Sequence, residues 1–470
     1  MNTAVFVCGD SPELVISAPG VVAIEGLCRD PSLLRACETH PERAVVVLHS
    51  DSYDLSTLQK ALRSISIDPL GVQVLDVGSD GDPSALSRQV EGLIQRARAF
   101  SGSAPEHAKP VFSNAVTRRG FLRPPTPASI SAPQIDHSTC AAGDGCRACV
   151  DACPQDAYKW SAGRISYNKD ACAPCGRCVT SCPTAAIENP ATTFAMIDAQ
   201  VRAVIAASDE PIGVRFVCSR GSVGATSGWT EISVPCTSMI PASWLLACRL
   251  LGASCVKAVP CGDAGCPIDG DSLVTEASDI ARAVLEQTGF EAAMIAGDSL
   301  SESIERSGTN LFETANAADL MLSLAAATGT EFSVESKVSQ LGIVSIDDTT
   351  CTLCGQCAKI CPTNALRESY EDGVVSISFD AKACVNCNQC MAECPEIERG
   401  AISVQGLIDT RRLADGRIGL NEGTVSSCEI CGNAIAPTQM MNRIGDLLGE
   451  EFKDTVRMLE TRCLDCRGRG

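Results

Sequence analysis

Cys351, Cys354, Cys357 and Cys361-Pro362 are followed by Cys384, Cys387, Cys390 and Cys394-Pro395. This is the run C-x2-C-x2-C-x3-C-P written twice. A near copy stands upstream as Cys140, Cys146, Cys149, Cys153-Pro154 and Cys172, Cys175, Cys178, Cys182-Pro183; its one departure is five residues between Cys140 and Cys146. Three close-set thiolates and a fourth before proline is a ligand pattern of [4Fe–4S] clusters, and the fourth thiolate crosses to the neighbouring cluster. Cluster I is then expected on Cys140, Cys146, Cys149 and Cys182, and cluster II on Cys172, Cys175, Cys178 and Cys153. Cluster III takes Cys351, Cys354, Cys357 and Cys394, and cluster IV takes Cys384, Cys387, Cys390 and Cys361. A disulfide framework or zinc knuckles would leave the C-P endings unexplained. The chemistry is electron transfer through two bacterial-type dicluster ferredoxin modules.

A second group of cysteines depends on fold. Val214–Cys218, Ile232–Cys236 and Val256–Cys261 are apolar, β-rich runs that each end on a cysteine, and a helical stretch, Ala242–Leu251, lies between the last two. In a parallel sheet the carboxyl ends of the strands share one edge, where ligands bind. Cys218, Cys236 and Cys261 therefore converge, and Cys266, on the loop Cys261-Gly262-Asp263-Ala264-Gly265-Cys266, supplies a fourth thiolate. Four such thiolates suit a [2Fe–2S] cluster or zinc. Cys248 falls inside the helix and Cys255 opens a strand at the opposite edge, so both are expected to pack.

Near the C-terminus, Cys428, Cys431, Cys463 and Cys466 form two C-x2-C knuckles around an expected helix, about Gln439–Leu459. Tetrahedral zinc is the expected occupant, with rubredoxin-like iron as the alternative. Cys8, Cys28 and Cys37 have no ligand spacing and are expected to pack as small buried hydrophobes.

These residues need scaffolds. Residues 1–100 show strand candidates at Ala4–Val7, Val21–Ile24, Ala44–Leu48 and Val72–Val77, with helical spacing at Leu33, Leu34, Cys37 and at Leu55, Leu58, Leu62. That pattern predicts a small α/β unit with a parallel sheet. No glycine-rich dinucleotide fingerprint accompanies it. Residues 101–131 are Pro-, Ser- and Ala-rich and read as a linker. Arg118-Arg119 there imitates a twin-arginine signal, but Arg123-Pro124-Pro125 follows where an apolar stretch is required. The expected order continues with a dicluster ferredoxin at 132–192, a parallel-sheet α/β [2Fe–2S] domain at 193–330 and a second dicluster ferredoxin at 340–408. A zinc-ribbon-like module at 422–470 completes a multidomain α/β and α+β chain. Each ferredoxin is expected to carry a hairpin, Ala157–Ser161 with Arg164–Tyr167 and Ala365–Tyr370 with Val374–Phe379.

The 470 residues hold 29 cysteines, only 4% aromatics and a net charge of −19, with a pI near 4.7. An acidic chain is poorly suited to nucleic acid or an anionic membrane, and suits basic protein partners. No apolar run of membrane-spanning length is present. So many free thiols without a secretory signal fit a reducing cytoplasm. The four histidines, His40, His49, His107 and His137, are scattered and form no acid–base constellation.

The run Val234-Pro235-Cys236-Thr237-Ser238-Met239-Ile240, with Trp244-Leu245-Leu246 and Cys261-Gly262-Asp263-Ala264-Gly265-Cys266, resembles the delta subunit of methyl-viologen-reducing hydrogenase. That family binds one [2Fe–2S] cluster and passes electrons between a hydrogenase and a heterodisulfide reductase. The resemblance implies Cys218, Cys236, Cys261 and Cys266 as ligands. Its members often carry a second cysteine soon after the first, whereas Ser219-Arg220-Gly221 follows Cys218 here. Val5-Phe6-Val7-Cys8-Gly9 and Leu55–Arg63 are similar to the start of heterodisulfide reductase A subunits, without their flavin-binding core. These likenesses imply a non-catalytic electron-transfer subunit. Its expected partners are hydrogenase or formate dehydrogenase subunits, a heterodisulfide-reductase-like flavoprotein and a soluble ferredoxin. A redox-sensing or scaffold protein is the alternative.

Overall fold

The computed structural model describes residues 3–10, 20–36, 41–48, 55–67, 72–76, 83–100, 133–219, 227–261, 268, 270–290, 295, 317–336 and 339–467. The expected linker at 101–131, Cys37 and Cys266 lie outside them. Two compact units account for the chain. The first comprises Met1–His137, Ala152–Tyr158 and Tyr167–Asn316, and the second Ser138–Asp151, Lys159–Ser166 and Ala317–Gly470. Among the described residues no helix is long and apolar enough to cross a membrane.

The first unit opens with four strands, β1 (Thr3–Cys8), β2 (Val21–Ile24), β3 (Arg43–Leu48) and β4 (Val72–Asp76), in the order β2-β1-β3-β4. All pair in parallel, with Val5 beside Val21 and Val45, and Ala44 beside Val72. Their apolar runs are continuous because both faces are covered. Helix α1 (Leu55–Ser64) packs Leu58, Ala61 and Leu62 on Phe6, Val46 and Leu48. Helix α2 (Pro83–Arg98) packs Leu86, Val90 and Leu93 on Val5, Val7 and Val45. The spacing at Leu33 and Leu34 yields only a 3-10 turn, Pro31–Ala36.

A short antiparallel pair, β5 (Gln134–Ile135) with β8 (Ile187–Glu188), brackets the upstream cysteine runs. Between them the chain forms α3 (Ala148–Asp151), the hairpin β6 (Tyr158–Ser161) and β7 (Arg164–Tyr167), and α4 (Arg177–Thr180). Ala162 and Gly163 at the hairpin tip both have positive φ. Two successive left-handed residues make the tight turn that matches strand twist.

Helix α5 (Phe194–Ala206) starts where the Thr193 side chain accepts from the Met196 amide. Strands β9 (Gly213–Cys218), β10 (Trp229–Val234) and β11 (Cys255–Val259) form a parallel sheet ordered β10-β9-β11, with α6 (Ala242–Leu250) as the crossover and α7 (Gly270–Gln287) after it. Only β9 ends on its cysteine. The other two strands stop at Val234 and Val259, because Pro235 and Pro260 have no N–H to continue the ladder.

The free edge of β10 is covered by the N-terminal layer. The Gln89 amide donates to the Glu231 carbonyl (2.8 Å) and accepts from the Glu231 N–H (3.0 Å), as a neighbouring strand would. Arg96 donates to the Ser233 carbonyl (2.9 Å), two residues along the same edge. Covering an edge strand in this way removes a template for unwanted pairing. Helix α2 also crosses α5 closely, so that a Cβ on Gly92 would collide with Val204. Gly92→Val is expected to overpack this crossing and cost about 1–3 kcal/mol, read as a lower thermal midpoint.

The second unit begins its main body with α8 (Ala317–Thr328). Strands β12 (Ser333–Glu335) and β13 (Gly342–Ile346) flank the later β16 (Ile402–Asp409) in an antiparallel sheet. The downstream cysteine runs contain α9 (Gln356–Lys359), the hairpin β14 (Leu366–Glu371) and β15 (Val374–Asp380), and α10 (Gln389–Ala392). After α11 (Thr410–Ala414), β17 (Arg417–Ser427) adds to β15, and β18 (Ala434–Pro437) adds to β17. The C-terminal cysteine module thus continues the sheet of the second cysteine pair. The single helix expected over about Gln439–Leu459 is instead α12 (Thr438–Leu448) and α13 (Lys453–Thr461), followed by α14 (Leu464–Arg467). Gly449, at φ +77, ends the first and lets the chain turn back.

Candidate metal centres

Each downstream run of cysteines begins on an extended loop and ends in one helical turn. Gly355 (φ +70) and Asn388 (φ +57) take the left-handed conformation that starts α9 and α10. Cys357 lies beside Cys351 and Cys354 of its own run and beside Cys394 of the other. Cys361 lies instead beside Cys384, Cys387 and Cys390. The two proline-flanked cysteines are therefore exchanged between the runs. Cys351, Cys354, Cys357 and Cys394 line a hollow walled by Leu353, Ile377 and Ile402. Cys361, Cys384, Cys387 and Cys390 line another, walled by Val344, Leu366 and Val404. Cys390 also neighbours Cys357, so the two sets adjoin.

The upstream pair follows the same plan where its cysteines lie in one unit. Cys153 is beside Cys172, Cys175 and Cys178 in the first unit. The Ala157 amide donates to Cys153 Sγ (3.3 Å), as the Leu366 amide does to Cys361 Sγ (3.5 Å). Tyr158 donates its hydroxyl to Cys178 Sγ (3.4 Å), and its ring stacks on that of Tyr167 at 4.9 Å. These tyrosines carry no spacing signal. Their place on the hairpin facing the second run was the only available clue. Of the remaining set, Cys140, Cys146 and Cys149 belong to the second unit and Cys182 to the first.

Burial, and then like charge from neighbouring sulfurs, pushes the Cys175 thiol up to about 11 and Cys178, Cys357 and Cys384 up to about 12. Four bare thiolates crowded in apolar walls are disfavoured, and bound metal cations reverse that balance. The donor sets fit iron–sulfur clusters on this ground.

A family model described as the 4Fe-4S dicluster domain matches residues 123–186 and 350–397. The chain carries two dicluster domains. No curated protein matches it. The role the dicluster domains confer is electron transfer.

On the middle sheet, Cys218 ends β9 in register with Val234, and its thiol faces the Pro235 carbonyl (3.7 Å) beside Cys236. Cys261 follows β11, the other neighbour of β9, so three cysteines stand at one sheet edge. Cys255 opens β11 in register with Gly213, at the other edge, and Cys248 is buried within α6. Cys8 and Cys28 are buried in the N-terminal core.

At the C-terminus, Cys428, Cys431, Cys463 and Cys466 bring their sulfurs within 4.8 Å of one another. The amide of Cys463, and then those of Cys431 and Ile430, aim at the Cys428 sulfur and lower its pKa to about 6. Such amide-lined knuckles hold thiolates ready for a tetrahedral ion. Arg443 of α12 binds Glu396 (3.2 Å), which follows Cys394-Pro395, and so ties this module to the second dicluster domain.

Proposed function

We propose that this chain is the iron–sulfur subunit of a cytoplasmic hydrogenase or formate dehydrogenase/heterodisulfide-reductase-like complex. It relays electrons through four [4Fe–4S] clusters and one [2Fe–2S] cluster. The exchange of Cys361 and Cys394 between adjoining runs carries this reading, because a module whose two runs trade one ligand each couples two redox centres in one small fold. The resemblance of the middle segment to the hydrogenase delta subunit supports the fifth centre on Cys218, Cys236, Cys261 and Cys266. The clusters supply one-electron chemistry. The chain's own residues hold them, exclude water and donate hydrogen bonds to sulfur, as Ala157, Leu366 and Tyr158 do. Hydrogen bonds of this kind tune the potential.

Photochemical reduction of the anaerobic chain is expected to store about five electrons, all recoverable by oxidised viologen. Storage of about four would remove the fifth centre, and turnover of a small molecule by the chain alone would replace the relay with an enzyme.

The C-terminal cysteines hold zinc in this reading and carry no electrons. Cys466→Ala is expected to release about one zinc per chain by elemental analysis while iron content stays unchanged.

A further inference from the structure

Within the first unit, two cysteines assigned to different centres pack together. Cys175, Cys236 and Ile268 form one buried cluster, with Ala173 against it. Sixty-one positions separate the two cysteines in the sequence. The turns that follow them interlock. Cys175 precedes Gly176, which takes φ +78 and starts α4. Cys236 precedes the 3-10 turn Thr237–Met239, closed by the Met239 amide donating to the Cys236 carbonyl (3.2 Å). A Cβ on Gly176 would stand 2.6 Å from Met239 Sδ and 2.9 Å from its Cε. Any side chain there must displace the Met239 side chain, which is itself buried. Glycine at 176 therefore serves two needs, a left-handed backbone and the close approach of two cysteine loops.

We propose that Cys175 and Cys236 form the electron crossing between the first dicluster domain and the middle sheet, with Gly176 and Met239 as positioning residues. The inference rests on the middle sheet holding a [2Fe–2S] centre. The crossing moves one electron from the [4Fe–4S] centre of Cys153, Cys172, Cys175 and Cys178 (1+ to 2+) to the [2Fe–2S] centre of Cys236 (2+ to 1+). No proton moves and every thiolate stays bound. Ligand sulfurs carry part of the unpaired spin of their irons, so packed ligands join two centres both electronically and magnetically. The dicluster domain hands electrons to the middle sheet from its second cysteine set.

The test is electron paramagnetic resonance of the fully reduced, full-length chain. The [2Fe–2S] signal is expected to be split or broadened by its reduced neighbour. Cys178→Ala removes that neighbour and is expected to abolish the splitting, leaving the narrow signal of an isolated centre. Gly176→Val and Met239→Ala keep all the cysteines and are expected to weaken the splitting at unchanged iron content. Cys357→Ala, which strips a centre from the other dicluster domain, is expected to leave it intact. A [2Fe–2S] signal without splitting, or a splitting that survives Cys178→Ala and vanishes in Cys357→Ala, overturns the crossing alone. Absence of any [2Fe–2S] signal, with zinc in its place, overturns the crossing together with the reading beneath it.

Discussion

Anaerobically purified chain is expected to carry about 18 iron, about 18 acid-labile sulfide and about one zinc. The informative variants are the two proline-flanked cysteines of the second dicluster domain. Cys361 stands at the end of its own run but packs with Cys384, Cys387 and Cys390. Cys361→Ala should therefore destroy the centre of the following run and spare Cys351, Cys354 and Cys357. Cys394→Ala should do the reverse. Each is expected to lose about four iron, and the two residual spectra should be complementary. If either variant destroyed the centre of its own run, the exchanged arrangement would be wrong. A wild-type content of about 16 iron with about two zinc would make the middle sheet a structural site and remove the proposed link to a hydrogenase.

Arg96→Ala is expected to destabilise the first unit by about 3 kcal/mol. Arg96 is only 4% exposed. It donates to the Gln200 side chain (2.8 Å), the Ser233 carbonyl (2.9 Å) and the Thr192 hydroxyl (3.1 Å). One side chain of α2 thus joins α5, the end of the upstream cysteine segment and the outer edge of β10. Its burial is costly enough to lower its pKa to about 10, so its donors are held by geometry and not by an opposing charge. Truncation strands three buried acceptors, each worth about 1 kcal/mol or more. The thermal midpoint should fall by roughly 6–12 °C. Arg96→Lys should recover only part of that, because an ammonium cannot span three acceptors in a fixed fork. A midpoint shift below about 2 °C for Arg96→Ala would show that water replaces the guanidinium and that α2 does not clamp the sheet.

Local features were largely legible. The strands at Val21–Ile24 and Ala44–Leu48 followed from β-branched runs, and both hairpins from an Ala-Gly or Asp-Gly turn between short alternating stretches. Proline placement went unread at Pro235 and Pro260, where a missing N–H ends the strand before the cysteine. So did Gly449, which breaks the expected C-terminal helix. Helix α2 lies outside the elements expected from the sequence. Its Gln89 and Arg96 look like ordinary polar surface residues until the edge of β10 is seen beside them.

What the sequence determined by itself is the set of thiols within each run. Gaps of two residues bring sulfurs together through backbone geometry alone, with no help from the rest of the fold. What only the tertiary structure decided is which distant groups complete or connect those runs: Tyr158 on Cys178, α2 on β10, and Cys175 against Cys236. Contacts of that kind depend on the packing of whole elements, and packing is encoded in many weak preferences distributed along the chain and not in any one spacing.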